Sequence, residues 1–222
     1  MLATRAGYCG GSAADPTYGK VCKDGDFSNY AEAIQVTFNP AQLSYKSLID
    51  IFYFAYDGAV RFPRTPSAAP LRRATTPVAC RPALPKRQYA PVIFAHDSAQ
   101  RAAAEFAVAD ATRRYGQIAT VVEEVYQDSG RAFWDAEPYH QKWKLQRRRE
   151  LMLALELTDT DGLFSRAATA LNAFAGGALS ADDTRQRLRA LVHDGELTED
   201  VYDAVAKLLE SKPASAPGAW RR

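Results

Sequence analysis

Apolar residues recur in this chain with two different periods, and the order in which the periods alternate leaves few folds open. Glu32, Ile34, Val36 and Phe38 fall on one side of an extended segment and Ala33, Gln35 and Thr37 on the other, the period of two expected of a strand. Asn39-Pro40 then turns the chain and Ser44 offers an N-cap. From there Tyr45, Leu48, Ile49, Phe52 and Tyr56 keep the spacing of one helical stripe. Val92-Ile93-Phe94 predicts a short buried strand, Asp97 or Ser98 opens an alanine-rich helix to Tyr115, and Gly116 closes it. The β-branched run from Ile118 to Tyr126 supplies another strand. Strand, helix, strand, helix, strand predicts an α+β fold, a two-layer mixed sheet with helices on one face.

The flanks divide the chain further. Residues 1–7 read as the end of a strand entering a glycine loop. From Arg61 to Arg87 prolines and arginines dominate, a composition that holds neither a helix nor a central strand, so this interval is expected to be an inserted loop. Phe133 to Trp143 reads as a strand end and a helix start, and residues 144–157 as one helix whose Arg147-Arg148-Arg149 face is solvated. Beyond Asp159 come three helical segments: Leu163 to Phe174, a second opened by a Ser180/Asp183 capping box and ended by Gly195, and a third capped by Thr198 and running to Leu209. The stripes Leu188, Leu191, Val192 and Val201, Val205, Leu208, Leu209 need a partner surface, on the main domain or on another protein. The expected organisation is a main domain over 1–157, a helical extension over 160–210 and a disordered tail over 211–222.

Composition excludes several classes of function. At 47% hydrophobic and 24% charged the chain reads as globular, and a net charge of +2 gives no general reason to expect nucleic acid. No apolar run approaches the roughly 20 residues that span a bilayer, so a soluble protein is expected. Cys9, Cys22 and Cys80 are too few and odd in number for a secreted disulfide framework and fit a reducing compartment. His96, His140 and His193 are far apart and form no metal-ligand spacing, so no structural metal is expected, and no bound cofactor is assigned.

Chemistry concentrates at Gly7-Tyr8-Cys9-Gly10-Gly11, Asp15-Pro16-Thr17-Tyr18 and Tyr30-Ala31-Glu32. The glycines permit close backbone approach and Pro16 pre-bends the turn that presents Tyr18. Strand parity puts Glu32 on the apolar side, where drying would let its carboxyl keep a proton near neutral pH, the attribute of a general acid.

Gly7-Tyr8-x-Gly10-Gly11, Pro16-Thr17-Tyr18-x-x-Val21-Cys22, Ala31-Glu32-Ala33-x-x-Val36, Asn39-Pro40 and Phe133-Trp134-x-Ala136-Glu137-x-Tyr139-His140-Gln141 together resemble the A-type peptide methionine sulfoxide reductases, in the family's order, from residue 1 to about residue 157. The resemblance implies Glu32 as general acid and Tyr18 and Tyr89 as donors to the sulfoxide oxygen. It carries Tyr89 over from the fragment Gln88-Tyr89, while the family's aspartate has no counterpart here. It implies reduction of methionine-S-sulfoxide, free or in oxidised proteins, with thioredoxin or another thiol as external reductant, by a cytoplasmic monomer, a plastid address remaining open. The family's nucleophile lies in Gly-Cys-Phe-Trp-Gly, a motif absent from these 222 residues. An upstream segment bearing cysteine or selenocysteine is one expectation. Within the chain the candidate thiols are Cys22, after a strand-like Val21, and Cys9, exposed in the glycine loop; Cys80 sits among arginines. The alternative is an inactive relative that docks a partner through its C-terminal helices.

Overall fold

Strand β1 (Ala3–Cys9) is the centre of a three-stranded sheet of order β2-β1-β5, with β2 at Ala31–Thr37 and β5 at Trp134–Asp135. The structure is a computed structural model and describes residues 3–23, 25–55, 86–116, 118–125, 133–157 and 159–210. Strands β1 and β5 run antiparallel, with Gly7 opposite Asp135 and Tyr8 opposite Trp134. A Cβ on Gly7 would lie 2.2 Å from the Trp134 carbonyl oxygen, so only glycine allows this approach. Strands β3 (Val92–Ala95) and β4 (Val121–Glu124) form a separate parallel ladder, joined by helix α3 (Ser98–Tyr115). The alternation of elements is the expected one, but the ladders are two. The strand expected over Ile118–Tyr126 shortens to β4 because its partner begins only after Pro91. The described part of the Pro/Arg stretch is Lys86 and Arg87; the rest lies outside the described residues.

The chain forms two compact units. One comprises the described residues of Gly7–Ala33 and Pro40–Asp135. Its β3–β4 layer is covered by α3 and by α2 (Tyr45–Ala55), and Ile49, Ile93 and Ala104 are buried among Tyr45, Phe52, Tyr53, Ala107 and Val122. Ser44 caps α2, its Oγ accepting from the Ser47 N–H at 3.1 Å. Asp97 caps α3, accepting from the Gln100 N–H at 2.7 Å, and Gly116 ends it at φ 82°.

The other unit comprises the described residues of Met1–Ala6, Ile34–Asn39 and Ala136–Arg222. Its core is helical: Leu145, Leu151, Leu171, Leu188 and Val205 are fully buried. They come from α4 (Trp143–Gln146), α5 (Arg149–Ala154), α6 (Arg166–Ala175), α7 (Ala181–His193) and α8 (Glu199–Leu209). Each contributes on the order of 1.5–3 kcal/mol of burial. The single helix expected over 144–157 is two short ones, broken at Arg148, whose φ −113° and ψ 72° are not helical. Arg148 is not on a solvated face. Its guanidinium pairs with Glu150 and lies 5.9 Å from the Phe174 ring centre. The caps Ser180 and Thr198 form as expected, with Ser180 Oγ accepting from the Asp183 N–H at 3.0 Å and donating to its carboxylate at 2.7 Å. The stripes of α7 and α8 are buried against α4, α5 and α6 within the chain, so they are not a free docking face.

Two consecutive side chains tie the start of β1 into this unit. The Gln141 amide, wholly buried, accepts from the Ala6 N–H at 2.9 Å and donates to the Ala6 and Ala136 carbonyls at 2.8 and 3.0 Å. Lys142, in left-handed backbone at φ 48°, donates from Nζ to the Thr4 carbonyl at 2.5 Å. Burial, then the nearby Arg5 charge, brings its ammonium down to about 8. Between that value and the usual lysine range the unfolded chain binds the extra proton, so unfolding free energy rises with pH across that window. The difference in unfolding free energy between wild type and Lys142→Met, measured by guanidinium denaturation, is therefore expected to be flat below pH 7. From about pH 8 to about 10.5 it should move in favour of the wild type by up to about 3 kcal/mol. Parallel curves for the two proteins would contradict this.

Candidate active site

The glycine loop is laid over one aromatic ring. Tyr30 is fully buried immediately before β2, and a Cβ on Gly11 would fall 2.2 Å from that ring. The Tyr30 hydroxyl donates to the Ala13 carbonyl at 2.5 Å, and its ring stacks on Phe27 at 6.3 Å. Gly10, at φ 94°, brings the backbone against Arg87 and Phe94, where a Cβ would be 2.9 Å from the guanidinium. The chain then passes through Asp15, left-handed at φ 54°, and Pro16 into a single helical turn, α1 (Tyr18–Val21). Val21 is thus helical, not strand-like, and is the buried residue of that turn.

Cys22 follows as the C-cap of α1, its N–H donating to the Tyr18 carbonyl at 3.0 Å. The spacing of four stacks the two side chains on one face. The Tyr18 hydroxyl is hydrogen-bonded to the Cys22 sulfur. That bond first, then the charges of a Cys22 thiolate, of Tyr89 and of Glu32, hold the phenol above its usual range. Tyr18 is therefore a protonated donor at neutral pH.

The opposite wall is a turn of 3-10 helix at Arg87–Tyr89. Arg87 is pinned by Glu123 at 2.7 Å and donates from Nε to the Asn29 carbonyl at 3.2 Å. Between it and Tyr89, Gln88 is 4% exposed, and its Nε2 lies 3.4 Å from both the Cys22 sulfur and Glu32 Oε1. Tyr18 and Tyr89 are half open to solvent, at 41% and 49%. One electrostatic neighbourhood thus holds Tyr18, Cys22, Glu32, Gln88 and Tyr89.

Two expectations are corrected. Glu32 does not lie on a dry face: it is exposed, as is Ile34 on the same side at 67%, while Ala31, whose side chain points the other way at the head of β2, is buried. Cys9 is not in the loop. It is the last residue of β1 and 2% exposed, while the loop starts at Gly10. Cys80 lies outside the described residues. Gln88 and Arg87 were given no role by sequence reasoning, although Gln88 sits in the Gln88-Tyr89 fragment that carried Tyr89. Among the described residues no group of three metal-ligating side chains meets, and no helix is long and apolar enough to cross a membrane.

A family model described as peptide methionine sulfoxide reductase matches residues 1–62 and 85–167. The chain belongs to the peptide methionine sulfoxide reductase family. The match breaks within the Pro/Arg-rich stretch, and the mixed α/β architecture followed by helices fits this family. A peptide methionine sulfoxide reductase of Drosophila melanogaster is 30% identical over 177 residues, 80% of this chain and 60% of that protein. One from Methanoculleus marisnigri is 31% identical over 147 residues, 66% of this chain and 77% of that protein. Peptide methionine sulfoxide reductase A5 of Oryza sativa is 27% identical over 197 residues, 87% of this chain and 66% of that protein. The chain thus spans about three fifths of the fly relative's length.

Removing the Cys22 sulfur removes the largest cause of the raised Tyr18 phenol. In Cys22→Ala, the Tyr18 ring carbon bearing the hydroxyl should titrate at lower pH than in wild type when followed by carbon NMR. An unmoved titration would show that the two side chains do not meet.

Proposed function

We propose that this chain reduces methionine-S-sulfoxide, free or in oxidised proteins, to methionine, with Glu32 as the acid and Tyr18 and Tyr89 as donors to the sulfoxide oxygen. The observation that carries the reading is that a phenol, a thiol and a carboxylate share one small volume, with Tyr18 bonded to Cys22 and Gln88 reaching both Cys22 and Glu32. A thiolate attacks the sulfoxide sulfur, the oxygen takes the proton of Glu32, and the S–O bond breaks as oxygen passes to the cysteine. The thioether leaves reduced and the cysteine is left as a sulfenic acid. An external dithiol, thioredoxin or another, displaces water from the sulfenic acid and then frees the cysteine as its own disulfide forms.

Of the candidate thiols, the geometry favours Cys22. Cys9 is sealed at a strand end, whereas Cys22 is partly open and lies beside the acid and the phenol. Because Glu32 is exposed, this reading leaves the drying of its carboxyl to the bound substrate.

The purified 222-residue chain, given a methionine-S-sulfoxide peptide and dithiothreitol, is expected to turn over. Glu32→Gln should lower kcat by roughly 10²- to 10⁴-fold. Cys22→Ser should abolish turnover, while Cys9→Ser keeps it. No turnover above background would favour the inactive-relative reading, and full activity in Cys22→Ser would move the nucleophile elsewhere.

A further inference from the structure

Gln88 is the least explained side chain of this neighbourhood. It is a neutral amide, 4% exposed, on a short turn whose other two residues, Arg87 and Tyr89, are half-buried and exposed. An amide nitrogen carries two hydrogens and can serve two acceptors at once. Here both acceptors belong to the chemistry: Cys22 Sγ and Glu32 Oε1, each 3.4 Å from Nε2 and supplied by segments 66 and 56 residues away. The turn that presents the amide is held from outside the pair. Arg87 is locked to Glu123 and to the Asn29 carbonyl, and Lys86 donates to the Cys22 carbonyl at 3.4 Å.

We infer that Gln88 is a positioning residue that holds the Glu32 carboxylate and the Cys22 sulfur on one amide nitrogen, so that proton donor and thiol keep a fixed separation and sense each other's charge state. The inference rests on the reductase reading for its purpose but not for its geometry. A hydrogen bond given to a carboxylate favours the ionised form. Losing it must raise the pH at which Glu32 releases its proton. Because the same nitrogen serves Cys22, a change at the sulfur reaches the carboxylate through Gln88.

Carbon NMR of glutamate-labelled protein tests this without requiring turnover. In Gln88→Met, which keeps the buried volume but donates nothing, the Glu32 carboxyl should titrate at higher pH than in wild type. Cys22→Ala should move the Glu32 titration in the wild-type background and leave it unmoved in the Gln88→Met background. Gln88→Asn keeps the amide but is one methylene too short to span both acceptors, and it should behave like Gln88→Met even where the latter folds poorly. A Glu32 titration identical in wild type and both Gln88 variants overturns the inference, and so does an equal Cys22→Ala effect in both backgrounds. Should the chain show turnover, Gln88→Met is expected to lower kcat with little change in KM and to shift the alkaline limb of the kcat profile upward with the carboxyl. A shifted Glu32 titration without any turnover would overturn the reductase reading and leave the link itself standing.

Discussion

The buried Tyr30 ring is the constraint from which the candidate site is built. It fills the space beneath Gly11, holds the Ala13 carbonyl with its hydroxyl, and immediately precedes Ala31 and Glu32. Burial, then the neighbouring Cys9 sulfur, keeps its phenol above the usual range, so the donor persists through any physiological pH. One side chain therefore sets both the path of the loop leading to Tyr18 and the start of the strand presenting Glu32. A larger residue at position 11 would displace the ring, and overpacking of this kind typically costs about 1–3 kcal/mol. The site's geometry and the loop's stability are thus the same fact.

Around that ring, polar contacts rather than apolar burial assemble the chemistry. Tyr18 and Cys22 are stacked by one helical turn, Arg87 is fixed by Glu123, and Gln88 closes the distance between the two halves. Hydrogen bonds contribute little net stability but fix direction, which the proposed roles of Glu32, Tyr18 and Tyr89 would require. In the other unit a helical apolar core among α4 to α8 buries twelve residues, among them Leu145, Leu151, Leu171, Leu188 and Val205.

What was legible in the sequence was local. Ser44, Ser180 and Thr198 cap the helices expected of them, and of the pair Asp97 or Ser98 it is Asp97 that caps, because a cap is decided within four residues. The Tyr18, Glu32 and Tyr89 set came from a family resemblance, and the structure brings those residues together with Cys22. Parity failed at Glu32, since alternation separates two faces without saying which is covered; at the head of β2 the buried strand residue is Ala31, on the face opposite Glu32. Cys9 was misplaced by one structural step, because β1 runs to Cys9 and the bend begins at Gly10. Gln88 is legible in the sequence only as the neighbour of Tyr89 in the Gln88-Tyr89 fragment. Its meaning depends on Cys22 and Glu32, which only the tertiary fold brings to it.

The central claim is that Tyr18, Cys22, Glu32, Gln88 and Tyr89 form one site for a sulfoxide oxygen. Titration of the labelled protein with a blocked methionine-S-sulfoxide, followed by NMR, tests it most directly. Saturable shifts of the Tyr18 and Tyr89 ring signals and of the Gln88 side-chain amide are expected, with the R-sulfoxide producing none at the same concentration. Shifts confined to residues away from this cluster, or identical responses to the two epimers, would contradict it.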